Sequence, residues 1–223
     1  MSENIVFLDV ETLPIQNQSL ALRATELLKP PANYKKEEAI QKWREDQTGK
    51  MGLYSWAAEP VCIAWQHVRT EEEPEILPTY SITRQIDDTA QMFFHDFVVE
   101  FENFMTARNI SATTIKIAGW NIGFDLGMLR AWSCRYAAKL PFYLPQRKYD
   151  TSHQLDVMSM WNPYEPTALR KAWFALTGEV YEDSGADVAE QWEKGQRRLI
   201  WEHCESDVRR TSYIWECLES WVR

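Results

Sequence analysis

The stretch Ile5-Val6-Phe7-Leu8-Asp9-Val10-Glu11-Thr12-Leu13-Pro14 decides how the rest of the chain is read. Four apolar residues in a row, Ile5 to Leu8, suit a central strand covered by helices on both faces. Side chains alternate along a strand, so Asp9 and Glu11, two apart at the end of that run, project from the same side. Such a pair can hold a metal ion. Standing alone it also reads as a solvated turn, and its meaning depends on further carboxylates placed to join it.

Two follow in order: Asp125 within Trp120-Asn121-Ile122-Gly123-Phe124-Asp125, and Asp207 within His203-Cys204-Glu205-Ser206-Asp207. Residues 115–119 read as a strand. From about Ile122 a helix is expected, with Phe124, Met128 and Trp132 at helical spacing, Asn121 as its cap and Asp125 in its first turn. A long helix over about 196–221 carries the inward stripe Ile200, Cys204, Val208, Thr211, Trp215 and Leu218, and sets His203 and Asp207 four apart on a shared face. Two-metal phosphodiester hydrolysis uses ions about 3.5 to 4 Å apart. Mg²⁺ and Mn²⁺ prefer oxygen ligands, so a box of Asp and Glu is the appropriate donor set. A neutral imidazole beside it, with an ordinary pKa of about 6.5, suits removal of a proton from an attacking water.

The remaining pattern builds the scaffold. Helices are expected over 20–28 and 34–47, flanking Pro30-Pro31. Strands are expected over 61–68 and 75–81, joined by the acidic turn 70–74. Asp87 and Asp88 open a helix running to about Arg108, with Met92, Phe93, Val99, Phe101, Phe104 and Met105 as apolar stripes. Shorter helices are expected around 168–176 and 186–194. Alternating strands and helices give an α/β fold with a mixed central sheet, its first hairpins antiparallel and a later strand parallel. The chain has 223 residues, 45% of them hydrophobic, with 11 Trp, 9 Tyr and 9 Phe. That is enough for one domain over 1–223, with residues 15–59 as a helical insertion.

A formal charge of −9 excludes a protein that coats duplex DNA, since that affinity comes from Lys and Arg neutralising phosphates. It leaves room for a short strand end held where divalent cations supply positive charge locally. The N-terminus has no basic segment followed by an apolar one, and no apolar run approaches the roughly 18 residues of a membrane span, so a cytoplasmic protein without a membrane partner is expected. Cys62, Cys134, Cys204 and Cys217 show no paired spacing, and reduced thiols are expected.

The ordered motifs resemble those of the DEDD exonucleases, DnaQ-like members of the ribonuclease H-like superfamily. Asp9-Val10-Glu11 matches the first motif, Asn121-Ile122-Gly123-Phe124-Asp125 the second, and the segment ending in Asp207 the third. The pieces TSHQLDVMSMW and CESDVRRT further resemble predicted exonucleases related to family-B polymerase proofreading domains. The resemblance implies a ribonuclease H-like sheet flanked by helices on both faces. It also implies 3′-to-5′ hydrolysis of single-stranded DNA or unpaired 3′ ends with two Mg²⁺ or Mn²⁺ ions, releasing nucleoside monophosphates. By the same resemblance Asp9 would bridge both metals, Glu11 and Asp207 would complete one side, and Asp125 would hold the second metal largely through water. Thr12 and Leu13 would meet the 3′-terminal nucleotide, Leu13 wedging its base, while Asn121 and Phe124 would position the scissile phosphate or the penultimate sugar. The family's third motif is Y-x₃-D or H-x₄-D. Here His203 stands at the tyrosine's spacing, which favours the tyrosine-type relatives, because a helical register is harder to alter than one side chain. His203 would then occupy the base position.

Two alternatives stay open: an exoribonuclease acting on short RNAs, and a non-catalytic scaffold that binds nucleic acid. The pairs Lys35-Lys36, Arg147-Lys148, Arg197-Arg198 and Arg209-Arg210 are candidate phosphate contacts, with Arg147-Lys148 the first choice, and Trp43, Trp56, Tyr143 and Trp161 are candidate stacking platforms. His153 and Asp156 are candidates for supporting the site from a neighbouring element.

Overall fold

The centre of the molecule is the 11-residue strand β1 (Asn4–Pro14), and everything else is placed by what covers its two faces and pairs with its two edges. The structure is a computed structural model that describes residues 4–48, 50–69, 78–144, 146–147, 150–181 and 187–222. After β1 come α1 (Gln18–Leu27), α2 (Glu37–Thr48), a 3₁₀ turn at Met51–Leu53, β2 (Ala58–Arg69), β3 (Tyr80–Thr83), α3 (Ala90–Ala107), β4 (Ile115–Gly119), α4 (Ile122–Tyr136), β5 (Gln154–Asp156), α5 (Val157–Trp161), α6 (Leu169–Thr177), α7 (Val188–Glu193) and α8 (Arg197–Val222). The sheet runs β3-β2-β1-β4-β5. β1 is antiparallel to β2 and parallel to β4, β2 is antiparallel to β3, and β4 is parallel to β5. This is the mixed α/β sheet with helices on both faces that the ribonuclease H-like expectation describes.

Alternation along β1 sorts its side chains between two cores. Val6, Leu8 and Val10 pack with the phenylalanines of α3 (Phe93, Phe94, Phe97, Phe101, Phe104) and with Leu126, Leu129 and Trp132 of α4. Ile5, Phe7 and Leu13 pack on the other face with Val188 of α7 and with Ile200, Cys204, Val208 and Trp215 of α8. Each fully buried Leu, Ile or Phe contributes about 1.5–3 kcal/mol over leaving it exposed. The odd-numbered face is therefore the α8 face, and Asp9 and Glu11 belong to it.

Two local features end the sheet where the carboxylates begin. The β1–β2 register shifts between Glu11 and Thr12, with Thr12 opposite Pro60, so the proline falls where a ladder can spare an N–H. On its other edge β1 pairs with β4 from Asn4↔Ile115 only as far as Phe7↔Ala118. A Cβ on Gly119 would lie 2.8 Å from the Leu8 carbonyl oxygen and 2.7 Å from Ile122 Cδ1, so only glycine permits this close exit of β4.

The expected elements are present with shifted ends, except that the strand expected over 75–81 is seen only from Tyr80, residues 75–77 lying outside the described residues; three short elements are additional. The helix expected from Asp87-Asp88 starts at Ala90, because the Thr89 hydroxyl accepts the Met92 N–H while Asp88 Oδ2 accepts the Gln85 N–H in the preceding turn. The second strand of the first hairpin is Tyr80–Thr83, and the acidic turn at 70–74 lies outside the described residues. The 3₁₀ turn, β5 and α5 are the additions: runs of three to five residues are too short to display a period. In the region 15–59, α2 buries nothing. Met51 and Ala57 close against Ala24 instead, and Thr12 Oγ1 donates to the Gly52 carbonyl at 2.6 Å, tying the 3₁₀ turn to β1. Among the described residues no helix is long and apolar enough to cross a membrane.

Candidate active site

Three elements deliver five side chains to the end of the sheet. β1 carries Asp9 and Glu11. α4 brings Asp125, whose Oδ1 accepts the buried Val10 N–H at 3.2 Å; the β1 amide beyond the reach of β4 thus bonds to a carboxylate instead of a strand. α8 brings His203 and Asp207. Both sit one residue before members of the buried stripe Cys204 and Val208, which rotates them to the edge of the packed face, toward β1. The Cys204 thiol donates to the Asp9 carbonyl at 3.5 Å and fastens α8 to β1 at that level.

His203 Nε2 lies 3.1 Å from Glu11 Oε1 and 3.8 Å from Asp207 Oδ2, with the ring 4% exposed. Arg210 Nη1 donates to Asp207 Oδ1 at 3.1 Å. Asp9 Oδ2 is buried without a hydrogen-bond partner. An open cavity of about 530 Å³ is lined by Asp9, Glu11, Thr12, Asn121, Phe124, Asp125, His203 and Asp207, together with Leu53, Trp120, Met158 and the segment Pro166-Thr167-Ala168.

The charges crowd one another. Burial raises the Asp9 carboxyl well above the ordinary range, and the charges of Glu11, Asp125 and Asp207 push it further against the opposing pull of His203. Asp125 is likewise raised, by burial first, although its backbone hydrogen bonds, including that from Val10, act the other way. Asp207 is raised to about 6 by burial and by Glu11, opposed by His203 and Arg210. Among the described residues no three His, Cys, Asp or Glu side chains already converge in ligand geometry. The donor set nevertheless fits a hard divalent cation: carboxylate oxygens, one of them buried and unpartnered, whose mutual repulsion a cation would relieve.

A pH dependence follows. Asp9, Asp125 and Asp207 bind protons more readily in the folded than in the unfolded chain, so their contribution to stability is present in full below the unfolded carboxylate range. It is lost as pH rises through about 6 for Asp207 and through the raised values of the other two. In EDTA stability should fall by on the order of 1–3 kcal/mol between about pH 4 and pH 6, where Asp207 ionises, lowering the melting temperature, and should fall further above that as Asp9 and Asp125 ionise. Millimolar Mg²⁺ or Mn²⁺ should reverse the fall at the upper end, and a melting temperature in EDTA that is flat or rising over that window would contradict this electrostatic picture.

Of the substrate-contact candidates, Thr12, Asn121 and Phe124 line the cavity and Leu13 does not. Leu13 is 1% exposed within the α7–α8 core, because it shares the face of Ile5 and Phe7. The apolar residue at the cavity from this side is Leu53, 63% exposed on the 3₁₀ turn that Thr12 holds. Asn121 departs from its expected role as well: its backbone is left-handed (φ 59°, ψ 43°) and its side chain makes no capping hydrogen bond. The Asn121 N–H is held by Asp156 Oδ1 at 3.0 Å, while Asp156 also caps α5 by accepting from the Met158 N–H and the Ser159 hydroxyl. Asp156 thus supports the turn at Asn121 that leads into α4. His153 accepts the Ile117 N–H through its carbonyl and packs against Tyr143.

The basic pairs turn mostly to other partners. Arg209 pairs with Glu205, Arg198 with Glu202, and Arg197 stacks on Trp192. Lys35 and Lys36 are exposed; Arg147 is exposed away from the cavity, and Lys148 lies outside the described residues. Trp43, Trp56, Tyr143 and Trp161 do not line the cavity, and Trp120 does, its indole N–H donating to the Thr167 carbonyl at 2.8 Å. Its place beside Asn121 is the one signal in the sequence that points to it.

No family model matches the chain, and no curated protein sequence matches it. Among solved structures, E. coli Exonuclease I in complex with a 5cy-dT13 oligonucleotide is similar at 13% identity and a TM-score of 0.46 over 99% of this chain. The chain spans 41% of the length of that protein.

Proposed function

We propose that the chain is a metal-dependent 3′-to-5′ exonuclease acting on single-stranded DNA or unpaired 3′ ends and releasing nucleoside monophosphates. The observation that carries this reading is the convergence of Asp9, Glu11, Asp125, Asp207 and His203, from three separate elements, on one open cavity. Asp9, Glu11, Asp125 and Asp207 would hold two Mg²⁺ or Mn²⁺ ions, which when bound supply an activated water and neutralise charge on the phosphate and leaving oxygen. His203 takes the proton of the attacking water at Nε2 in the tautomer that leaves this nitrogen unprotonated, the water replacing Glu11 as its partner. Its own ring is held by the packed α8 face, so it needs little reorganisation to serve. Arg210 fixes the rotamer of Asp207 through Oδ1. Thr12, Asn121 and Phe124, on the cavity wall, meet the terminal nucleotides, and Leu53 takes the apolar place that Leu13 leaves empty.

The test is a panel of 5′-labelled single-stranded DNA and RNA incubated with protein and Mg²⁺ or Mn²⁺. The expected result is a ladder shortening from the 3′ end on DNA. Cleavage confined to RNA would move the substrate to short RNAs. No cleavage of any strand with either metal would leave only a binding scaffold.

A further inference from the structure

A second groove, of about 460 Å³, lies along the outer side of α6 and is lined by Arg170, Lys171, Phe174, Val180 and Tyr181. On α6 Leu169 and Ala172 are buried, while Phe174 follows Lys171 by three and Arg170 by four positions on the exposed side. Phe174 is 53% exposed and Val180 79% exposed. Neither Arg170 nor Lys171 has a carboxylate partner among the described residues, unlike Lys194, Arg198, Arg209 and Arg210. Among the described residues these two cations, without a carboxylate partner, stand beside an exposed aromatic face on a chain with a formal charge of −9.

The groove adjoins the carboxylate cavity in two ways. Ala168, the residue before α6, lines that cavity, and Lys171, three residues on and so on the same side of the helix, lines the groove. At the other wall the Tyr181 ring stacks 3.6 Å from the Arg210 guanidinium, which bonds to Asp207. From residue 168 to residue 174 a helix advances about 9 Å, the length of two or three stacked nucleotides at about 3.4 Å each.

We propose that this groove holds the part of a single nucleic-acid strand lying 5′ of the nucleotides in the carboxylate cavity, with Arg170 and Lys171 on phosphates and Phe174 beneath a base; the assignment rests on the nuclease reading. Cations alone would also suit an acidic peptide. The exposed aromatic face between them, and the continuity with a site for a strand end, favour the nucleic acid.

The test is anisotropy of a 5′-fluorescein single strand of about 20 nucleotides, titrated with the full chain over a salt series. Arg170→Gln with Lys171→Gln, both exposed and harmless to folding, should flatten the slope of log K against log salt by about 1.4, at about 0.7 for each phosphate that no longer meets a cation. Phe174→Ala should weaken binding about tenfold with the slope unchanged. Turnover of a trinucleotide, too short to leave the carboxylate cavity, should stay within about twofold of wild type in all three changes. A wild-type slope in the double variant, as expected if the groove serves a protein segment, overturns the proposal, and so does equal loss on the trinucleotide. Groove-dependent binding without degradation of any strand would uphold the groove and reject the nuclease; degradation by variants with unaltered binding would do the reverse.

Discussion

Asp9→Asn should abolish strand degradation, by roughly 10⁴-fold or more as for other members of a catalytic unit, and should at the same time raise the melting temperature of the metal-free protein near pH 8. Both effects have one origin. The Asp9 carboxyl is enclosed among Glu11, Asp125 and Asp207, and its Oδ2 has no hydrogen-bond partner. Without a cation, ionised Asp9 is a buried charge facing three like charges. Asparagine has the same shape, removes that charge and offers a donor to its neighbours, so a gain on the order of 1–3 kcal/mol is expected from relieved repulsion. Wild type should gain several degrees on adding Mn²⁺, as any ligand that binds only the folded state provides, and the variant should gain little. A purely structural Asp9 behaves in the opposite manner, since its replacement would lower the melting temperature and leave turnover intact. Melting below wild type with activity within tenfold would sink the assignment.

His203→Ala should cut turnover by about 10²–10⁴-fold, the range for loss of a general base, while preserving the melting shift caused by Mn²⁺. The separation is possible because His203 is beside the carboxylates without being required to hold a cation: its Nε2 is 3.1 Å from Glu11 and 3.8 Å from Asp207, and the carboxylates themselves are anchored by β1, α4 and α8. Removing a ring that is 4% exposed also costs packing, so His203→Gln serves as the partner variant, restoring bulk and a hydrogen bond but no usable base. Similar losses in both variants with the Mn²⁺ shift intact would identify proton transfer as the missing step. Recovery of turnover in His203→Gln would mean the histidine only fills space, and wild-type turnover in His203→Ala would remove it from the chemistry.

The parts of this site that sequence can reveal are those governed by period. Alternation puts Asp9 and Glu11 on one face of a strand, and a four-residue interval puts His203 and Asp207 on one face of a helix; the buried partners Ile5, Phe7, Cys204 and Val208 fix the phase of both. The parts that sequence misplaces depend on particulars outside any period. Leu13 shares the phase of Phe7 and so is drawn into the core, whatever a related strand end does with its own residue. Asn121 looks like a cap by residue type, yet a left-handed backbone held by Asp156, 35 residues later, turns it to another use. Leu53 reaches the cavity because a threonine hydroxyl bonds to a glycine carbonyl 40 residues away, and nothing in the local sequence announces that bond.

The hydrogen bond from the Val10 N–H to Asp125 bears on how such sequences diverge. Asp125 serves the backbone as well as the cavity, since it satisfies an amide that the end of β4 leaves without a strand partner. A descendant that had lost its chemistry would still be under selection to keep it. Asp9 has no such second duty, its free oxygen being a liability to the fold on its own account. If the proposed activity lapsed in a lineage, Asp9 should therefore drift before Asp125, and its identity should separate working copies from fossils better than that of Asp125.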